Sequence, residues 1–498
     1  MDAGKKILLD LLTGSLRFVV PVYQRRYSWG EAQCRQLWSD IVTAGRHPER
    51  THFTGSVVWM QEGGIGPDGV SRCQLIDGQQ RLTSVTLLLI ALAEYARERP
   101  ENLRFSADML IDRGYLVDKY ATGEGRYKLT LSGDDREVLH GMCDHVVAPD
   151  RPNHANTGSR LEANLDLFRS LAAAIDDTNV VWNGLQRLEV VSVTLDQDRD
   201  EPQLVFESMN STGLDLETSD LVRNYMLMGC SMAEQKTLYE DYWLPMERVL
   251  GNLSFDVFLH DWMVVTLKKP VLKGHVMYAE FKRFAADSSL PRMERTRNLL
   301  ANMLKYAKYY AAIKGVAAAG SCDMNVDRRL ESIQKLGSTV TDPLVMYMFA
   351  AWKRDRVSCD GLLRMLADLE SYLFRRMICS VSSNGLNKLV PSLIVRLDSA
   401  EDDLAETFAA LLITETAKAS RMPTDSEFRQ ALLGENLYRP AWRCKYLLAG
   451  LENHNHPKDP RSFSEYTIEH IMPQNVMAHA EWCNMLADLD RFPLLVNS

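Results

Sequence analysis

Residues 73–96 constrain the fold more tightly than any other stretch of the chain. A short β-type apolar run, "CQLI", meets Asp-Gly, and "QQRLTSVTLLLIALAEYA" follows without a break. From Gln79 onward, Leu82, Val85, Thr86, Leu89, Leu92, Ala93 and Ala96 recur at three and four, the period of a half-buried helix. Upstream, "HFTGSVVWM" (52–60) is β-branched and aromatic, and the Gly/Pro-rich "QEGGIGPDGVS" joins it to "CQLI", which predicts a hairpin with a long loop. A third strand is expected at "RLEVVSVTLD", 187–196.

After about residue 218 the pattern turns nearly all helical, in segments such as "RNLLANMLKYAKYYAAIKG" and "CDGLLRMLADLESYLFRRMICSV". A polar break at 452–465 reads as a linker, after which something new begins. The expected class is α+β, in three parts: a mixed domain at 1–225, a helical domain at 226–451 and a short C-terminal element at 452–498.

The start of the helix at Gln79 carries the chemistry. Asp77 reads as an N-cap with Gln80 reaching back to it, a capping box built on aspartate. That accounts for Asp77, Gly78 and Gln80 but not for Arg81, because a cation in the first turn opposes the helix dipole by up to about 1 kcal/mol unless an anion is near. Free helix N–H groups, Gln79 and a guanidinium would cradle a phosphate; pairing of Arg81 with a carboxylate is the competing explanation.

Three other stretches stand out. "FVVPVYQRRYSWGEAQ" sets Arg25 and Arg26 among Tyr23, Tyr27 and Trp29, which suits either a surface that stacks bases and takes phosphates or a corner whose aromatics are core. In "QLVFESMNSTGLDLETSDLVRNYM" a helix should end near Met209, with Asn210 and Gly213 in the turn and Thr218 or Ser219 capping the next helix. "YTIEHIMPQN" puts Glu469 beside His470, an economical pair for cutting a phosphodiester: a metal ligand next to a base that makes hydroxide. A structural histidine is the plainer alternative.

At 498 residues and 46% hydrophobic, the chain is too long for one core. Its apolar runs, such as "LLLIALA" at 87–93, are far below the roughly 20 residues of a membrane span, and the N-terminus lacks the layout of a secretory signal, so a soluble cytoplasmic protein is expected. Nine scattered cysteines without a C-x-x-C pair read as free thiols in a reducing compartment. A net charge of −9 excludes a uniformly basic coat, which leaves nucleic-acid binding to local patches: Arg25 and Arg26; Lys268, Lys269 and Lys273; 282–297; Arg375 and Arg376.

Taken in order, "VPVYQRRYSW", "FTGSVV", "LIDGQQRLTSVTLLL", "FESMNSTGLDLETSDLVRNYM", "ESYLFRRMICSVSSNGLNK" and "YTIEHIMPQN" resemble the GmrSD-like, modification-dependent restriction proteins, which include single-chain relatives that sense phosphorothioate DNA. The resemblance spans about residues 8–480 and is strongest in the N-terminal half. It implies an N-terminal ParB/sulfiredoxin-like domain that binds and hydrolyses a nucleoside triphosphate, a helical middle, and a C-terminal ββα HNH-type nuclease.

Carried over by motif, Asp77, Gly78, Gln79, Gln80 and Arg81 would belong to the nucleotide site, with Tyr23, Gln24 and Arg25 from the upstream motif and Asn210 from the downstream one. Asp77, Gln80 and Arg81 would serve hydrolysis, with Mg²⁺ at Asp77. His470 matches the nuclease's general base and Glu469 its metal ligand. The implied role is an anti-phage factor that hydrolyses a nucleoside triphosphate on meeting modified double-stranded DNA and drives its cutting, with a homo-oligomer as an expected form and no membrane partner. A nucleotide-dependent DNA sensor without turnover is the alternative. The chain departs from the pattern after "DRFPLLVNS": Asn497 lies too near the end to sit on the finger's closing helix, so a truncated nuclease is expected.

Overall fold

The computed structural model describes residues 1–61, 71–112, 114–118, 121–149, 158–196, 199–210, 217–287, 289–316, 324–434, 437–456 and 465–468. The chain divides into two compact units, Met1–Asp241 and Tyr242–Ser498. The class is α+β: a mixed sheet lies in the first unit and a large helical region in the second.

Among the described residues the first unit has six strands, β1 (Asp2–Ile7), β2 (Leu16–Val19), β3 (His52–Gln61), β4 (Ser71–Asp77), β5 (Leu129–Thr130) and β6 (Leu188–Leu195), in the order β1-β6-β3-β4-β2-β5. The expected hairpin is the antiparallel β3–β4 pair, and the strand expected at 187–196 is β6, which runs parallel to β3. β1, β2 and β5 carry no strong strand pattern. β1, "DAGKKI", is almost wholly exposed and borders the sheet antiparallel to β6, with lysines of the kind that discourage edge-to-edge pairing.

The helix after β4 runs Gln79–Glu98 and is buried over fifteen of its residues, not over one face. Its buried hydroxyls satisfy themselves: those of Thr83, Ser84 and Thr86 donate to the carbonyls of Gln79, Gln80 and Leu82, one turn back, at 2.8–2.9 Å. It packs against the Arg160–Ala174 helix. Leu82, Val85, Leu89 and Leu92 share one core with Phe18, Cys73, Leu75 and Val190 of the sheet. Elsewhere the Glu31–Arg46 and Asn179–Leu185 helices approach closely at two glycines: a Cβ on Gly45 or Gly184 would come 1.9 Å from the carbonyl oxygen of Val180 or Ile41.

Every described secondary-structure element of the second unit is a helix. Its centre is the Asp342–Trp352 helix, buried from Asp342 to Ala351, with the Arg292–Ile313, Phe255–Leu267, Cys359–Ile378 and Leu386–Asp398 helices around it. The Ala441–Asn455 helix extends into the polar stretch read as a linker. Six described cysteines are free, as expected; Cys359 departs from that expectation and is disulfide-bonded. No described helix is long and apolar enough to cross a membrane.

Candidate functional site

Where β4 passes into the Gln79–Glu98 helix, the expected capping box does not form. Gly78, not Asp77, takes the N-cap, and among the described residues no side chain caps the helix start. The reason is conformational: Gly78 adopts φ +96°, a left-handed setting that turns the chain directly from strand to helix and that an L-residue resists. A Cβ there would also lie 3.1 Å from the Ser56 carbonyl oxygen and from a Val57 methyl. Asp77 remains the last residue of β4, where one carboxylate oxygen accepts from the Ser56 hydroxyl at 3.1 Å.

β3 contributes the opposite wall. Its register against β6 shifts between Phe53 and Ser56, and Gly55 in that bulge has φ +104°. The bulge turns the Ser56 carbonyl to Arg81, whose Nη1 donates to it at 2.8 Å. A Cβ on Gly55 would come within 2.7 Å of Arg81 Nη2, so the glycine is the seat of the guanidinium. Arg81 is half-buried; burial pulls its pKa below the ordinary value and the charge of Asp77 opposes that shift, but among the described residues no carboxylate lies within ion-pair distance. Arginine stays cationic under such a shift.

Residues 21–30 close over the helix start, held by three amides. Gln24 Nε2 donates to the carbonyls of Ile76 (2.7 Å) and Leu75 (3.3 Å). Gln79 Nε2 donates to the Arg25 carbonyl at 3.1 Å. Gln80 Oε1 accepts the N–H groups of Ser28 (2.8 Å) and Trp29 (3.2 Å), while its Nε2 donates to the Arg26 carbonyl at 3.3 Å. All three amides are buried: Gln24 ties the strap to β4, and Gln79 and Gln80 tie it to the helix start. The half-buried Arg25 guanidinium makes neither a hydrogen bond nor an ion pair among the described residues, whereas Arg26 is exposed and pairs with Asp134 at 3.0 Å.

The aromatics of this stretch are mostly core. Tyr23 is fully buried, so its ring has no open face for a base, and it contributes its carbonyl, which accepts from Arg223 Nε at 2.8 Å. Tyr27 is buried with its hydroxyl against Ser84 Oγ (2.7 Å), Asn164 Nδ2 (3.0 Å) and Cys34 Sγ (3.5 Å); burial raises its pKa strongly. Asp135 accepts the Tyr27 N–H at 2.9 Å, and burial raises its carboxyl pKa. Trp29 is half-buried.

The structure thus brings Gln24, Arg25, Asp77, Gly78, Gln79, Gln80 and Arg81 together, with the backbone of Tyr23. The Pro202–Asn210 helix includes Asn210, which the sequence pattern places in the turn after it; the Asn210 side chain lies outside the described residues, as do Gly213, Glu469 and His470. The next helix, Thr218–Leu227, is capped at Glu217, not at Thr218 or Ser219. Gly55, Ser56 and Arg223 were missed; a Gly-Ser inside the β-branched "FTGSVV" is a bulge signal and marked the first two. Of the basic patches, Arg376 is buried and donates to the carbonyls of Ser382, Ala419 and Arg421, and Arg375 pairs with Asp425, which makes that pair structural.

The GmrSD restriction endonuclease N-terminal domain matches residues 8–227, and the GmrSD restriction endonuclease C-terminal domain matches residues 422–489. No curated protein matches the chain. The N-terminal match contains the whole of the β3, β4 and 21–30 assembly, and the two matches together span more than half of the chain in the order of a restriction enzyme. The chain belongs to the GmrSD restriction endonuclease family, nucleases that act on DNA in defence.

Proposed function

We propose that the first unit binds a nucleoside triphosphate at the start of the Gln79–Glu98 helix, hydrolyses it in response to DNA carrying phosphorothioate or modified cytosine, and through that turnover drives nicking or cleavage by the C-terminal nuclease. One observation carries the reading. A 20-residue helix begins at a left-handed glycine with no side chain capping its first N–H groups, and two half-buried arginines, Arg25 and Arg81, stand without a carboxylate partner among the described residues. Uncapped N–H groups and guanidinium donors are what a polyphosphate needs.

In this reading Arg81, seated on Gly55 and fixed by Ser56, stabilises charge on the transferring phosphoryl group, and Arg25 clamps the rest of the polyphosphate. Gln24, Gln79 and Gln80 are positioning residues, because their amides are spent on the strap that carries Arg25. Mg²⁺ sites use one or two carboxylates completed by phosphate oxygens and water, and Asp77, one oxygen of which is held by Ser56, fits as the single protein carboxylate. Bound there, the ion would offset phosphate charge. His470 would deprotonate the water that attacks DNA, with Glu469 as a metal ligand beside it.

The test is phosphate release by the purified chain with plain, phosphorothioate and glucosylated duplexes. Release stimulated by one modified duplex is expected. DNA binding without release under any condition would leave a nucleotide-dependent sensor in its place.

A further inference from the structure

The helical unit holds a cavity of about 480 Å³ that takes no part in the chemistry above. Its size falls within the roughly 300–1,000 Å³ in which proteins enclose small ligands. One wall is a stripe along the Arg292–Ile313 helix, where Arg295, Leu299, Asn302 and Tyr306 follow at helical spacing, with Asn298 beside them. These residues line a half-open cleft, with Asn298 exposed at its mouth and Tyr306 buried at its base.

The cavity is layered. Trp262, Tyr306 and Tyr347 are buried at its base, and the half-buried Phe284 stands edge-on to Trp262 with ring centres 6.1 Å apart. Trp262 Nε1 donates to Asn302 Oδ1 at 2.9 Å, which fixes that amide with its NH₂ left to donate. At the rim Lys268 is spent on Asp398, which also accepts from the Tyr347 hydroxyl at 3.4 Å and lies 3.6 Å from Arg356. Two rim cations are not so neutralised. Arg295 donates to the Ala286 carbonyl at 3.3 Å, Arg354 leans on Tyr306, and neither forms an ion pair among the described residues.

We propose that this cavity binds a single nucleotide: the base against Phe284 and Leu299 above Trp262, its edge read by Asn298 and Asn302, and its phosphate held by Arg295 and Arg354. An apolar aromatic base, two amides one helical turn apart and two guanidiniums without an ion-pair partner among the described residues match the three parts of a nucleotide, and aliphatic anions would leave the ring unused. The same chemistry reaches the cavity from a free mononucleotide or from a nucleotide swung out of a DNA strand. The site lies wholly within the second unit and does not depend on nucleotide turnover in the first.

The experiment uses the full chain carrying Arg81→Ala, which disables the proposed triphosphate site. Calorimetric titration with dAMP and dCMP, and with duplexes that are fully paired or contain one unpaired nucleotide, distinguishes the two sources. Expected is a one-to-one complex, either with a mononucleotide or selectively with the unpaired duplex, weakened on the order of tenfold or more by Arg295→Gln with Arg354→Gln. Thr266→Trp, which fills the wall without altering charge, should weaken it as well, while circular dichroism melts stay unchanged. The proposal is overturned if the Arg81→Ala chain binds neither a mononucleotide nor the unpaired duplex selectively, or if the further variants bind every ligand as before.

Discussion

Substituting Gly55 by alanine should reveal how tightly β3 and Arg81 are coupled. Two costs arise at once. The backbone at φ +104° is one that L-residues adopt at a penalty of about 1–2 kcal/mol. The new methyl would lie 2.7 Å from Arg81 Nη2, and since the guanidinium is the flexible partner it yields, losing its hydrogen bond to the Ser56 carbonyl, worth about 1.5 kcal/mol for a charged donor. Gly55→Ala should therefore cost about 3 kcal/mol. In an Arg81→Ala background the clash and the hydrogen bond are already gone, and the same substitution should cost only the backbone part, a coupling of about 1.5 kcal/mol. Calorimetric unfolding of the full chain reads this as a shift of the first unit's transition, roughly 2–4 °C per kcal/mol for a unit of this size. Costs that add to within about 0.5 kcal/mol would refute the seating of Arg81 on this glycine.

Arg81→Ala alone should lower nucleotide hydrolysis by about 10²–10³ or more while the protein stays folded, checked by phosphate release and circular dichroism. His470→Ala should abolish DNA cutting and spare hydrolysis; loss of both would refute the division of labour between the two ends of the chain. Gln80→Leu should destabilise the first unit by about 2 kcal/mol, because the Ser28 and Trp29 N–H groups lose their acceptor, and hydrogen exchange at those two amides should quicken. His140 stacks on Tyr127 at 3.6 Å, and burial pushes its pKa down to about 4, so the unfolded chain takes up a proton that the fold refuses. Stability tied to His140 is complete above pH 6.5 and declines as the pH falls through 6.5 toward 4, by on the order of 3 kcal/mol in all. His140→Phe should flatten that part of the pH–stability profile.

The passage from β4 into the Gln79–Glu98 helix was legible in the sequence because the change from a strand run to a three-and-four repeat is carried by side chains that meet the core. The capping box was misread because Asp77 and Gln80 have the right types and separation, and only the left-handed turn at Gly78 shifts the helix start by one residue. Strand β1 escaped notice because an exposed edge needs no apolar alternation. The aromatic stretch at 21–30 admitted core and surface readings alike; burial decides that Tyr23 and Tyr27 are core, while Arg25 keeps its charge available. Arg223, two hundred residues from the carbonyl it holds, could not have been found from local pattern.

The contacts that join the strap to β4 and the helix start are made by uncharged amides, whereas its proposed guest would be gripped by guanidinium groups. Added salt screens the second kind of contact and leaves the first nearly untouched, with a screening length near 8 Å at physiological strength and about 3 Å at 1 M. Ionic strength is therefore a dial that would empty the pocket without loosening its frame, and the vacant yet intact form could be prepared at will.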